Sequence, residues 1–211
     1  MTSKHIKISI FLFLFLFTLL TCLNPVYPEN QLLQHLGTFI ISIILIYDIK
    51  KDKLSITAFS LVAVFILFHV IGARWIYTYV PYQDFFSSYF PGSFSEFFET
   101  KRNHYDRFVH FIFGVLFIPF LHEIFIFKFK RNTLSLILAW LSIQSFSMLY
   151  ELFEWSLTVI IDPLEATKYN GQQEDFFDSQ KDMALAMLGS TIISMVYLSK
   201  GFQKLNFKNI K

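Results

Sequence analysis

An all-α membrane helix bundle of about six transmembrane spans, with both termini on the cytoplasmic side, is the fold class this sequence predicts, and three observations predict it. The 211 residues are 54% hydrophobic and only 16% charged, with a mean hydropathy of +0.48, so a soluble fold would lack polar residues to cover itself. Apolar runs long enough to cross a hydrocarbon core of about 30 Å recur six times. Basic and acidic residues segregate to opposite sides of those runs, as they do in membrane proteins.

The predicted spans are residues 6–23, 32–48, 54–72, 106–127, 134–161 and 182–199, within one transmembrane domain covering 1–211. The first has the position of a signal peptide, but its apolar run is long and no small-x-small cleavage pattern follows, so it is read as a retained helix. With the N-terminus in the cytoplasm, Lys4, Lys7, Lys50, Lys51, Lys53, Lys128, Lys130, Arg131, Lys200, Lys204, Lys208 and Lys211 face inward, 12 of the 18 basic residues. Among the acids only Asp48, Asp52 and Glu123 do so. Multi-pass residence in a bacterial cytoplasmic (inner) membrane is the expected location.

Two outward segments are longer than a turn. Residues 73–105, rich in Tyr and Phe, read as interfacial or partly re-entrant, and residues 162–181 are polar and acidic. The 28 phenylalanines suit lipid-facing positions, and Trp75, Tyr77, Tyr79, Tyr82 and Trp155 read as interfacial anchors. Single Cys22 excludes an internal disulfide, and the short basic loops carry no nucleic-acid signal; membrane lipid is the expected partner.

Ionisable side chains inside a span cost of order 3 kcal/mol each at the bilayer centre, so each needs a partner or a purpose. Asp106 and His110 stand at i, i+4, with Asn103 and Arg107 nearby. Glu151 and Glu154 stand at i, i+3 near the outer end of the fifth span. Asp175, Asp178 and Asp182 would form one stripe if the sixth helix starts early enough, and His69 lies about one turn before Arg74. Carboxylates with an imidazole at helical spacing are how bundles hold divalent ions. Asp106, His110, Glu151, Glu154, Asp178 and Asp182 are therefore candidate ligands for zinc, manganese or magnesium. Glu151, Glu154 and Arg107 are candidate catalytic groups, and His69, Arg74, Asn103 and Asp175 candidate substrate contacts.

A structural reading competes: Arg74, Arg107 and Lys181 would neutralise the acids in a network that fixes helix register. His122 and Glu123 read as an interfacial ion pair with Lys128 and Lys130. His35 and Gln144 read as helix-packing hydrogen bonds, Gly72, Gly114 and Gly189 as points of close helix approach, and Pro119 as a kink.

The strings HVIGARWIYTYVP (69–81), RNHYDRFVHFIFG (102–114), MLYELFEW (148–155) and NGQQEDFFDSQKDMALAMLG (170–189) resemble the YjdF-like family of bacterial inner-membrane proteins, a domain of unknown function. The resemblance covers roughly residues 30–200 and departs at 172–175, where QQED replaces the commoner Gln-Gly-Asp. A more distant similarity to VanZ-like membrane proteins rests on an aspartate-basic-x-x-histidine-Phe helix start, a mid-chain glutamate and a late aspartate. The resemblance implies architecture and motif identity, not an activity.

Two functions fit these residues. One is a metal-dependent enzyme acting on a lipid or cell-envelope precursor at the outer membrane face. The other is a non-enzymatic scaffold or small transporter; the apolar inner halves of the fifth and sixth spans (ILAWLSIQSF, ALAMLGSTIISMVYL) and the absence of an inverted repeat weaken the transport version.

Overall fold

The computed structural model describes residues 2–89, 102–171 and 173–199. The described residues form eight helices and no strand: α1 (Ser3–Thr21), α2 (Pro28–Lys51), α3 (Ile56–Arg74), α4 (Tyr82–Tyr89), α5 (Tyr105–Phe129), α6 (Asn132–Ile160), α7 (Pro163–Asn170) and α8 (Asp178–Ser199). Six of them, all but α4 and α7, are long and apolar enough to cross a membrane. Each expected span lies within four residues of one of these helices at either end.

The helix ends follow local chemistry. Ser55 caps α3, its hydroxyl accepting from the Ala58 backbone N–H, and Pro28 and Pro163 open α2 and α7, where a missing N–H costs nothing. Asp52 and Lys130 close α2 and α5 in the left-handed conformation.

α3 and α5 form the centre. Ala58, Phe59, Val62, Ile66, Val70, Ile118, Ala139, Ile143 and Ala186 are sealed from the exterior, whereas Leu32, Phe39, Trp155, Val159 and Ile160 on α2 and α6 are more than half exposed. That outward display of large apolar side chains is what a bilayer solvates and water does not. Phenylalanine serves both environments: beyond the expected lipid-facing positions, Phe65, Phe113 and Phe117 pack ring on ring inside, with centroids 4.8–5.6 Å apart.

α5 and α8 make the closest helix pair. A Cβ at Gly114 would meet Ala186 O at 2.2 Å, and one at Gly189 would meet Phe111 O at 2.3 Å, so glycine is required at both. Gly72 differs from expectation. It makes room for the Tyr77 ring, 2.7 Å from a Cβ there, rather than for a neighbouring helix. Tyr77 is itself buried, with its hydroxyl on His69 Nδ1, and is no interfacial anchor; Tyr79 and Trp155 are exposed. Ile76 and Tyr77 both take positive φ (42° and 59°), which turns the chain sharply after α3. The re-entrant reading of 73–105 falls partly on residues 90–101, outside the described residues.

At the end of the bundle where the chain starts, Lys7 is fully buried. Its ammonium donates to Asp48 Oδ2 (2.7 Å), Asp52 Oδ1 (2.8 Å) and Leu54 O (2.7 Å), filling all three donor positions. Glu123 lies at the same end and caps α3, accepting from Ser55 N (2.7 Å) and Ser55 Oγ (2.5 Å) instead of joining the expected ion pair. His122 packs on the Tyr197 ring of α8 there, so α1 begins and α8 ends on one side. Gln144 Nε2 donates across to Ser190 Oγ at 3.0 Å, a packing bond between α6 and α8.

Candidate functional site

The opposite end of the bundle gathers polar groups from α5, α6, α8 and the segment before α8. α5 starts at a turn locked from both sides. Asn103 Oδ1 accepts from Tyr105 N (3.0 Å), Asn103 Nδ2 donates to Val80 O (2.9 Å), and Gln173 holds the Asn103 backbone through Oε1 (2.8 Å) and Nε2 (3.1 Å). Asn103, an expected substrate contact, is thereby committed to positioning the first turn of α5.

That turn carries Asp106 and His110 on one face. One donor atom each from Asp106, His110 and Asp182 lie within 4.8 Å of one another. Glu151 Oε1 from α6 is 3.5 Å from His110 Nε2, and Asp106 Oδ1 is 3.6 Å from the same nitrogen. His110, Glu151 and Asp182 are 8%, 4% and 2% exposed, and neither Glu151 Oε1 nor Asp182 Oδ1 has a hydrogen-bond partner. Two buried carboxylate oxygens without donors, one of them 3.5 Å from an imidazole nitrogen, are an expensive arrangement for a protein to keep. Ligand atoms about 2.1 Å from a common tetrahedral ion are about 3.4 Å apart, so a contraction of at most about 1.4 Å would bring this group into a coordination sphere.

The remaining expected ligands divide. Asp178 is taken by arginines: its carboxylate is paired with the Arg102 guanidinium and lies 3.7 Å from Arg107 Nη2. Glu154 sits one turn beyond Tyr150, to which its side chain hydrogen-bonds, and its backbone carbonyl accepts from Asn170 Nδ2 (3.2 Å). Asp175 precedes α8 rather than extending its stripe. It pairs with Arg107 and, at 2.6 Å, with Lys181, and its carboxyl is held at about 2 by the Lys181 hydrogen bond, the Phe177 N–H and the nearby Arg107. His104, at the cap of α5, has its pKa lowered by burial and by Arg107 and Arg102. Arg102, Arg107, Lys181, Asp175 and Asp178 thus form a clamp over the start of α5 and α8, beside Glu151 and Asp182, each of which keeps one oxygen without a donor. Arg107 therefore has two acids as partners, which ties this expected catalytic group to the clamp.

The other two expected substrate contacts part ways. Arg74 closes the end of α1, donating to Thr21 O (2.8 Å) and to the Leu23 carbonyl, with its guanidinium 5.0 Å over the Trp75 ring. It neutralises none of the clustered acids; Arg102, not singled out beforehand, does so. The signal was present in RNHYDR, where Arg102 precedes Asp106 by four residues. His69 is held between Gln34 O (3.1 Å) and the Tyr77 hydroxyl, facing a cavity that also touches Asp106 and His110. Tyr150, whose hydroxyl donates to Gln34 Oε1 (3.1 Å), lines the same cavity and was likewise missed, because a tyrosine near a span end usually marks an interface.

No curated protein and no solved structure matches the chain. A family described as a predicted membrane protein, DUF2238, matches residues 6–201, which contain every residue of the cluster and the clamp. The chain belongs to this DUF2238 family, the one also called YjdF.

Proposed function

We propose that the protein is a metal-dependent membrane enzyme acting on a lipid or cell-envelope precursor, with one divalent ion held by Asp106, His110 and Asp182. The observation that carries the reading is the pair of buried, donorless oxygens, Glu151 Oε1 and Asp182 Oδ1, beside the His110 imidazole. Mixed carboxylate and imidazole donors suit zinc or manganese, and magnesium less well. A bound ion would polarise a phosphoryl or acyl oxygen and acidify a water molecule. Glu151, 3.5 Å from His110 Nε2, is placed to accept a proton from such a water. The Arg102–Arg107 clamp fixes the helix ends that carry the ligands, and Glu154 adds a further carboxylate beside Glu151.

The charge distribution along the chain favours this end facing outward, with both termini in the cytoplasm of a bacterial cell, where the site would meet precursors at the outer face of the cytoplasmic membrane. A distant likeness to VanZ-like proteins, in an aspartate-basic-x-x-histidine-Phe helix start, a mid-chain glutamate and a late aspartate, would fit a shared use of such positions.

A scaffold reading rests on the clamp, whose ion pairs alone would set helix register. Binding of an ion to the folded state alone raises its unfolding temperature. Chelator-stripped protein in detergent is expected to gain several degrees on addition of Zn²⁺ or Mn²⁺, and the His110→Ala protein none. Equal melting of the two proteins, with and without metal, leaves only the scaffold.

A further inference from the structure

From the cluster a slot of about 370 Å³ runs down the bundle between α2 and α6, floored by α3 and α5. Its walls are apolar for their full length: Phe65, Val109, Phe113, Phe117, Phe120 and Leu121. Asp106 and Ile124, both on its α5 wall, are 18 residues apart, about 27 Å of helix, nearly a full hydrocarbon thickness. The rim consists of Ile40 and Ile44 on α2 and Phe146 on α6, each 40% exposed or more, so the slot opens sideways to the bilayer. Apart from Ser147 on α6, only its head is polar. There Tyr150 bridges to Gln34, His69 bridges Gln34 and Tyr77, and Asp106 and His110 complete the lining.

We infer that this slot holds one acyl chain of a glycerophospholipid, entering between α2 and α6, with the glycerol end at Tyr77 and Tyr150 and the headgroup against the carboxylate cluster. The apolar lining excludes water and the lateral opening faces a solvent made of such chains. At roughly 30 Å³ for each water-sized group, the volume takes about a dozen carbons, most of one acyl chain but a small part of a long polyprenyl chain. Gly37 makes the slot passable. It lines the wall, and a Cβ there would meet nothing within 4 Å, so the space beside it belongs to an occupant rather than to a neighbouring helix. Placement of the headgroup rests on the metal-site reading; placement of the chain does not.

The test reconstitutes the full-length protein in vesicles of phosphatidylethanolamine and phosphatidylglycerol containing phosphatidylglycerol with a diazirine partway along one acyl chain. After irradiation, adducts are mapped by mass spectrometry. They are expected to concentrate on Ile41, Phe113 and Phe117 relative to the lipid-facing Leu12, Phe13 and Met195. Gly37→Phe projects a ring into the open space beside Gly37 and is expected to lower slot adducts about tenfold, since the ring displaces several buried methylenes, while leaving Mn²⁺ binding unchanged. Gly37→Ala should leave them as in the wild type. His110→Ala should abolish Mn²⁺ binding and keep the adducts. Adducts spread evenly over the lipid-facing helices, or unaffected by Gly37→Phe, overturn the chain site. Concentrated adducts in a protein that binds no Mn²⁺ sustain the chain site and remove the metal reading alone.

Discussion

Lys7 and Asp175 show how differently one ion pair can weigh at the two ends of the same bundle. Lys7 is sealed beside Asp48, so replacing it by Met strands a buried carboxylate, a loss of about 3–5 kcal/mol. The Lys7→Met protein should unfold at a clearly lower temperature in detergent, and Lys7→Met with Asp48→Leu should recover much of that loss. Asp175 lies at the surface of the clamp and reports on pH. Its folded-state carboxyl gives up its proton more readily than an ordinary one, so its contribution is complete above pH 3.8 and is lost as pH falls through about 2. The lowered pKa of His104 means that the folded protein resists protonation, so stability also declines as pH drops below 6.5. Unfolding temperature measured across this range should fall in two stages, and Asp175→Asn should shrink only the lower one, to which Asp52 also contributes. Arg107 and Lys181 were legible as neutralising cations for the acids, but the partners of Lys7 were not. Sequence gives the depth of a charge along its helix, and Lys7 counted as a loop cation because nothing local says which distant carboxylates its ammonium will meet.

The helices themselves were legible because each is a long apolar run whose length the bilayer dictates, and their ends moved by only a few residues. Turn-level structure was harder. α8 starts at Asp178, which leaves Asp175 outside the helix and free to join Arg107 and Lys181, whereas helical spacing alone put three aspartates on one stripe. Gly114 and Gly72 also looked alike in sequence, yet one meets a helix backbone and the other a tyrosine ring that reaches it through a turn of unusual backbone angles. The α5–α8 contact makes a sharp prediction. Gly114→Val places a branched side chain where even a Cβ lies 2.2 Å from Ala186 O, and about 4 kcal/mol or more of stability should be lost, seen as failure to recover monodisperse protein. Gly37→Ala, with open space around it, should instead raise the unfolding temperature slightly, by up to about 1 kcal/mol of helix propensity.

Across the whole molecule, the two ends of the bundle have different jobs. At one, the buried charges are matched: Lys7 with Asp48 and Asp52, Glu123 with Ser55. At the other, arginines satisfy Asp175 and Asp178, yet Glu151 and Asp182 keep oxygens without donors beside His110. Convergence of α5, α6 and α8 at one level was readable from the depth of their ionisable residues; the sorting of six acids into clamp and cluster was not, since it depends on how α5 and α8 meet at Gly114 and Gly189. The slot was invisible for the same reason, its walls being ordinary apolar positions on four separate helices. What most directly tests the account is the metal content, by elemental analysis, of protein purified without chelators, beside its His110→Ala and Asp182→Asn variants. The account predicts close to one divalent ion per wild-type chain and a loss of most of it in both variants; wild-type protein free of metal, or metal retained equally in all three, would contradict it.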